Sequence, residues 1–180
     1  MDSNNKRSNM NSFQIASCAV FCAIVTFAKI ASYIIPPLRT MVALIIIAGF
    51  SFGSFNACVI ATVSVLVSGC FLGHGLWTPF QIFGLAIIGL ISGILSKNET
   101  IIKNKFFLCF WSTLCVLVYS IVMTGYFILS FKINITDTVA FIAYMIYVLK
   151  KDIIHLIVTI FTVIFLCEPI QKISNKSYNF

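Results

Sequence analysis

The sequence predicts an all-α, polytopic integral membrane protein with six transmembrane helices and a short interfacial helix before the last. Three observations predict it. Hydrophobic residues make up 60% of the chain and charged residues only 9%, whereas a soluble domain is about half apolar and a quarter charged. A chain of 180 residues has no core large enough to hide that surplus from water. Finally, the apolar residues fall in runs of membrane-spanning length, separated by short polar or proline- and glycine-marked breaks. The composition excludes a soluble enzyme, a disordered tail and a nucleic-acid-binding domain. The net charge of +7 is scattered between apolar runs and reads as topology, because Lys and Arg concentrate on the cytoplasmic side.

Residues 1–12 are polar and rich in Asn and Ser and read as a cytoplasmic tail. Phe13–Ile35 is the first apolar run, 23 residues long, enough to span a bilayer and too long for a signal-peptide core. Pro36-Pro37 ends it, since proline cannot continue the hydrogen-bond ladder. Met41–Leu72 is 32 apolar residues, roughly 48 Å as one helix and too long for one crossing. The glycines at 49 and 53 mark the break, giving a short helix near 37–52 and another near 54–72. Gly73-His74-Gly75 is a turn, and Pro79 sits in the first turn of the fourth span, where its missing N–H costs nothing. That span runs to Leu95. Ser96–Lys105 is a polar loop, and Phe106–Phe131 spans again. Thr138–Leu149 has only 12 residues, too few to cross, and reads as an interfacial or re-entrant helix. Asp152 then opens the last span, near Ile153–Ile170. The membrane domain is thus expected over 13–173, with a cytoplasmic tail at 174–180.

Charge chooses among topologies. With six spans and both termini inside, Lys6, Arg7, Lys97, Lys103, Lys105, Lys172 and Lys176 are cytoplasmic. Arg39, Lys132, Lys150 and Lys151 face out, and Lys29, inside the first span, is long enough to snorkel toward the outer side. Fusing Met41–Leu72 into one helix would reverse the balance against the positive-inside rule. The seven cysteines lie within or beside apolar runs, where Cys behaves as a small hydrophobe. No spacing of Cys and His suits a metal, and no cofactor is expected.

Polar or small residues at membrane depth are the informative ones. Ala19 and Ala23 are four apart on one face, a spacing that allows close helix approach. Gly89 and Gly93 share that spacing, and for both pairs packing inside the bundle is the alternative. Trp77 and Gln81 share a helical face, and Thr78 can cap the helix. An interfacial Trp anchor is the alternative there. Asp152 and His155 are i, i+3 at the expected start of a helix, facing a ligand or forming a cap beside an interfacial His. Arg39 lies in an outer turn, where it could be a topological charge alone. The clusters at 36–40, 73–81 and 150–155 all fall on the outer side, as an outward-facing small-molecule site would require. No catalytic signature such as Gly-x-Ser-x-Gly or a Walker A loop occurs.

The stretch Gly69-Cys-Phe-Leu-Gly73-His-Gly75-Leu-Trp77-Thr78-Pro79-Phe-Gln81, running on to Gly84, Gly89 and Gly93, resembles the substrate-specific (S) components of energy-coupling factor (ECF) vitamin transporters. Asp152-Ile-Ile-His155 also looks like the subgroup with Asp-Leu-Leu-His-Ala there, although Leu156 replaces the alanine. The resemblance covers essentially the whole chain. It implies a membrane subunit that binds a vitamin at the outer face and delivers it inward with an ECF transmembrane coupling protein and two ATPase subunits. The chain itself would then be no enzyme. The resemblance implies a substrate site around Arg39, His74, Trp77, Thr78, Gln81, Asp152 and His155, with Ala19 and Ala23 docking the coupling protein. The Trp-Thr-Pro subgroup looks most like S components for cobalamin or related corrinoids, with pantothenate, folate and a queuosine precursor left open as alternatives. With a composition that looks bacterial, the expected location is a bacterial plasma membrane, with both termini cytoplasmic. Two alternatives remain at this stage: a membrane scaffold or assembly subunit with no transported ligand, and an intramembrane enzyme using Asp152 and His155.

Overall fold

A computed structural model describes residues 12–34, 40–98, 104–131 and 138–178. These residues form six helices: α1 (Ser12–Ile34), α2 (Met41–Phe52), α3 (Ser54–Leu72), α4 (Trp77–Leu95), α5 (Lys105–Phe131) and α6 (Thr138–Tyr178). Five of them, all but α2, are long and apolar enough to cross a membrane. The chain is a helical polytopic membrane protein. Its outward surface is apolar: Phe27, Phe55, Phe71, Phe106 and Ile121 are all at least 70% exposed. Several polar side chains sit inside instead, among them Ser64, Ser68, Ser92, Ser112 and Thr159, each 0% exposed. Water would penalise that outer surface, whereas lipid does not.

α2 is the centre of the bundle. Its 12 residues make a helix of about 18 Å, short of a ~30 Å hydrocarbon core. Every residue from Val42 to Phe52 is buried, as expected of a helix that is apolar on all sides. It packs on α3, α4, α6, α1 and α5. At Gly53 (φ 83) the chain turns directly into α3, a conformation that glycine adopts without steric penalty. The expected break therefore falls at Gly53, while residues 36–39, which complete the expected first loop, lie outside the described residues.

The α3–α4 contact is closest at glycines. A Cβ on Gly93 would collide with the Ser54 backbone, and one on Gly89 would stand 3.1 Å from Ala57 Cβ. Gly49 of α2 meets Ser92, Gly89 and Gly93 at 2.6–2.9 Å from its notional Cβ. The Gly89/Gly93 pair thus packs within the bundle, as small residues allow between apolar helices.

The C-terminal third corrects the expected layout. No separate interfacial helix covers 138–149, and Asp152 does not open a span. One continuous helix of 41 residues, α6, runs through both, about 62 Å long. Lys150-Lys151-Asp152 holds neither Gly nor Pro, and Lys and Leu are good helix formers. Its charges read as a membrane boundary, but nothing in its chemistry breaks a helix. Pro169 lies inside α6, tolerated because neighbouring groups in a membrane bundle can re-satisfy the freed carbonyl.

Candidate functional site: a cavity at the end of the short helix

A cavity of about 410 Å³ opens at the N-terminal end of α2. Its lining comes from the C-terminal ends of α1 (Lys29, Ser32) and α3 (Gly69, Leu72), from the C-terminal half of α5 (Tyr119, Ser120, Tyr126), and from the N-terminal ends of α2 (Met41, Val42) and α4 (Trp77, Gln81). Consecutive helices among α1–α5 therefore alternate in direction. α6 adds Tyr144, Lys151, Asp152 and His155. α2 begins at the cavity, with Met41 and Val42 in the lining, and the longer helices around it supply the remaining polar and apolar wall.

Five of the seven expected substrate residues line this space: Trp77, Thr78, Gln81, Asp152 and His155. The turn before α4 positions the first three. Gly73 has φ 89, a region that L side chains rarely adopt. Gly75 has no room for a Cβ because the Trp77 ring lies over it. Thr78 is not the N-cap. α4 begins at Trp77, so Thr78 falls in the first turn and is buried. Its Oγ1 accepts the Gly75 N–H at 3.2 Å, and its own N–H donates back to the Gly75 carbonyl at 3.0 Å. The pair pins the turn and keeps the Trp77 indole beside the cavity.

His74 is not brought into the lining. It is exposed, its ring folds over Gly69, and Nε2 lies 4.0 Å from Cys70 Sγ. Arg39 lies outside the described residues.

A polar chain crosses from α1 to α5. Lys29 Nζ donates to Gln81 Oε1 at 3.0 Å, and Gln81 Nε2 donates to the Tyr119 hydroxyl at 3.4 Å. Lys29 therefore points into the bundle, toward the cavity. The signal for this was present: Cys22, Val25, Thr26, Lys29 and Ser32 form one stripe at helical spacing, and Val25 and Thr26 are buried. Tyr119 stands edge-on to His155, with centroids 6.2 Å apart. Asp152, mid-helix rather than a cap, accepts a hydrogen bond from Ser120 Oγ of α5. Phe127 and Tyr144 stack at 4.6 Å with rings nearly parallel, at 5°, closing one wall. Lys29, Tyr119, Ser120 and Tyr144 are thus lining residues that were not assigned to the site from sequence, and Lys151 falls within the 150–155 cluster that was.

Such a site has the means to bind a small molecule. It offers hydrogen-bonding groups, a cation, a carboxylate and aromatic faces, the usual make-up of a small-molecule pocket. Among the described residues no group of three His, Cys, Asp or Glu side chains could hold a metal ion.

Ala19 and Ala23 face the other way. Both are exposed, with Ala16, Val20 and Phe27, while Phe21 and Val25 on the opposite side of α1 are buried. Unlike Gly89 and Gly93, this small pair lies on the outside of the bundle. No family model, curated protein or solved structure matches the chain.

Proposed function

We propose that the protein is the substrate-binding membrane subunit of an ECF-type vitamin importer. It captures a vitamin or vitamin precursor at the outer face of a bacterial plasma membrane. Delivery inward depends on a coupling protein and two ATPase subunits, and this chain hydrolyses no ATP. The observation that carries the reading is the cavity itself. Trp77, Thr78, Gln81, Asp152 and His155, from two segments about 75 residues apart in sequence, meet around one space of about 410 Å³. The outward Ala19/Ala23 face supports the second half of the reading, since it leaves a strip of α1 where another helix can approach closely.

The Trp-Thr-Pro resemblance makes corrinoids the first substrate candidates. The cavity volume favours smaller vitamins, because it lies near the lower end of the range for small-molecule sites and a corrin ring with its nucleotide loop is far bulkier.

The test is a thermal-shift panel of vitamins and precursors, cyanocobalamin included, on the purified protein in detergent. One ligand is expected to raise the melting temperature, by the equivalent of about 2.7 kcal/mol at a hundred times its Kd. A flat response across the panel would overturn the reading and leave a scaffold subunit as the better account.

A further inference from the structure

We infer that the cavity is built for a small organic monoanion, a compound with an apolar or ring-bearing body and one carboxylate, and that the Lys29 ammonium receives the carboxylate. The inference rests on the vitamin-binding reading and deepens it.

Lys29 is the starting point. It sits within the apolar Gln14–Ile34 span, where an ammonium is costly unless a partner compensates it. Its hydrogen-bond partner among the described residues is Gln81 Oε1 at 3.0 Å. That acceptor is neutral and takes one of the three ammonium donors. The lining carboxylate, Asp152, accepts from Ser120 instead, and no described carboxylate pairs with Lys29. A cation aimed into a cavity with two donors to spare has the geometry of an anion receptor.

The wider charge pattern agrees. The lining carries two lysines, Lys29 and Lys151, against one carboxylate, Asp152, a formal excess of one positive charge. α2 adds to it. Met41 and Val42 begin that helix at the cavity, so the positive end of its dipole points in the same direction. One excess charge suits a carboxylate better than a phosphate monoester, which carries about −1.5 to −2 near neutrality. The rest of the ligand meets aromatic faces, chiefly Trp77, Tyr126 and the stacked Phe127–Tyr144 pair. These suit a flat ring or a short apolar chain.

The experiment uses matched acids and uncharged analogues on the purified full chain: nicotinate with nicotinamide, pantothenate with pantothenol, and biotin with biotinamide. Riboflavin, thiamine, pyridoxal phosphate and cyanocobalamin are run beside them. Binding is read by calorimetry and thermal shift. One acid is expected to bind roughly 10- to 100-fold more tightly than its uncharged partner, the scale of a hydrogen bond to a charged group. Lys29→Gln should bring the acid down to the level of the analogue, and Lys29→Arg should keep part of the preference. Equal binding of an acid and its analogue would overturn the inference. So would Lys29→Gln retaining the full preference with an unchanged melting temperature. If an uncharged, cationic, phosphorylated or corrinoid compound binds and no acid does, the inference falls while the vitamin-binding reading stands. Should nothing bind, both fall. If Lys29→Gln does not fold, the acid-to-analogue ratio of the unaltered protein still decides.

Discussion

Gln81 is held at both ends, accepting from Lys29 and donating to Tyr119, and its two contacts differ in weight. The first involves a charge and is 3.0 Å long; the second joins neutral groups at 3.4 Å, near the outer limit for a hydrogen bond. Gln81→Leu should therefore lower stability by about 1–3 kcal/mol, because it strips the ammonium of its acceptor. Tyr119→Phe should cost less, about 0.5–1.5 kcal/mol. Thermal unfolding of both variants in one detergent checks the order, and a larger loss for Tyr119→Phe would contradict it. Trp77 contributes differently. At 42% exposed it is partly free to meet a ligand, and Trp77→Ala should weaken binding by about 1–3 kcal/mol while the protein still inserts and folds. Unchanged binding in calorimetry would make Trp77 a membrane-interface anchor.

Within the elements, glycine has opposite meanings at two helical positions. Gly93 of α4 lies against the Ser54 backbone, whereas a Cβ at Gly125 of α5 would meet nothing within 4 Å. Gly93→Ala should force α4 away from α3 and destabilise by about 1–3 kcal/mol, as overpacking does. Gly125→Ala should stabilise by about 0.4–1 kcal/mol through the reduced freedom of the unfolded chain. Melting temperatures moving in opposite directions would bear this out, and a shift of the same sign would not. The same elements mark what a reader of the sequence can recover. The α2–α3 break was legible because Gly53 interrupts an apolar run too long for one crossing. The continuity of α6 was not. Lys150, Lys151 and Asp152 look like the edge of a membrane, since hydropathy records charge but not the direction in which it points. In the structure Lys151 and Asp152 line a cavity. Lys29 reads only as a topological charge for the same reason. Trp77 with Gln81 and Asp152 with His155 were legible as two separate pairs, because i, i+3 and i, i+4 spacing is local, and the structure adds that both pairs line one cavity. Ser120 and Tyr119 join them through tertiary packing, which no local pattern in α5 announces.

At the scale of the molecule, the bundle separates two faces that can be tested apart. The cavity lies at one end, while Ala19 and Ala23 lie on the outside of α1. Replacing both alanines with Trp should leave ligand binding by the isolated protein nearly intact, because neither side chain enters the core. On the proposed importer reading, uptake by cells that also express the coupling protein and ATPases should be lost, with less of those partners co-purifying, since bulk at this spacing holds a partner helix away. Normal uptake, or equal loss of binding and uptake, would remove the docking role. The central helix has a consequence of its own. α2 begins at the cavity, so the residue at which the chain becomes helical is one determinant of how deep the cavity is. Starting α2 one turn earlier would raise the floor by about 5.4 Å, and one turn later would lower it as much. The neighbouring helices, and the surface they present to lipid and partners, would not have to move. A six-helix frame of this kind has an adjustable depth stop: ligands of different size could be fitted by moving one helix boundary, with the outer shape of the protein kept constant.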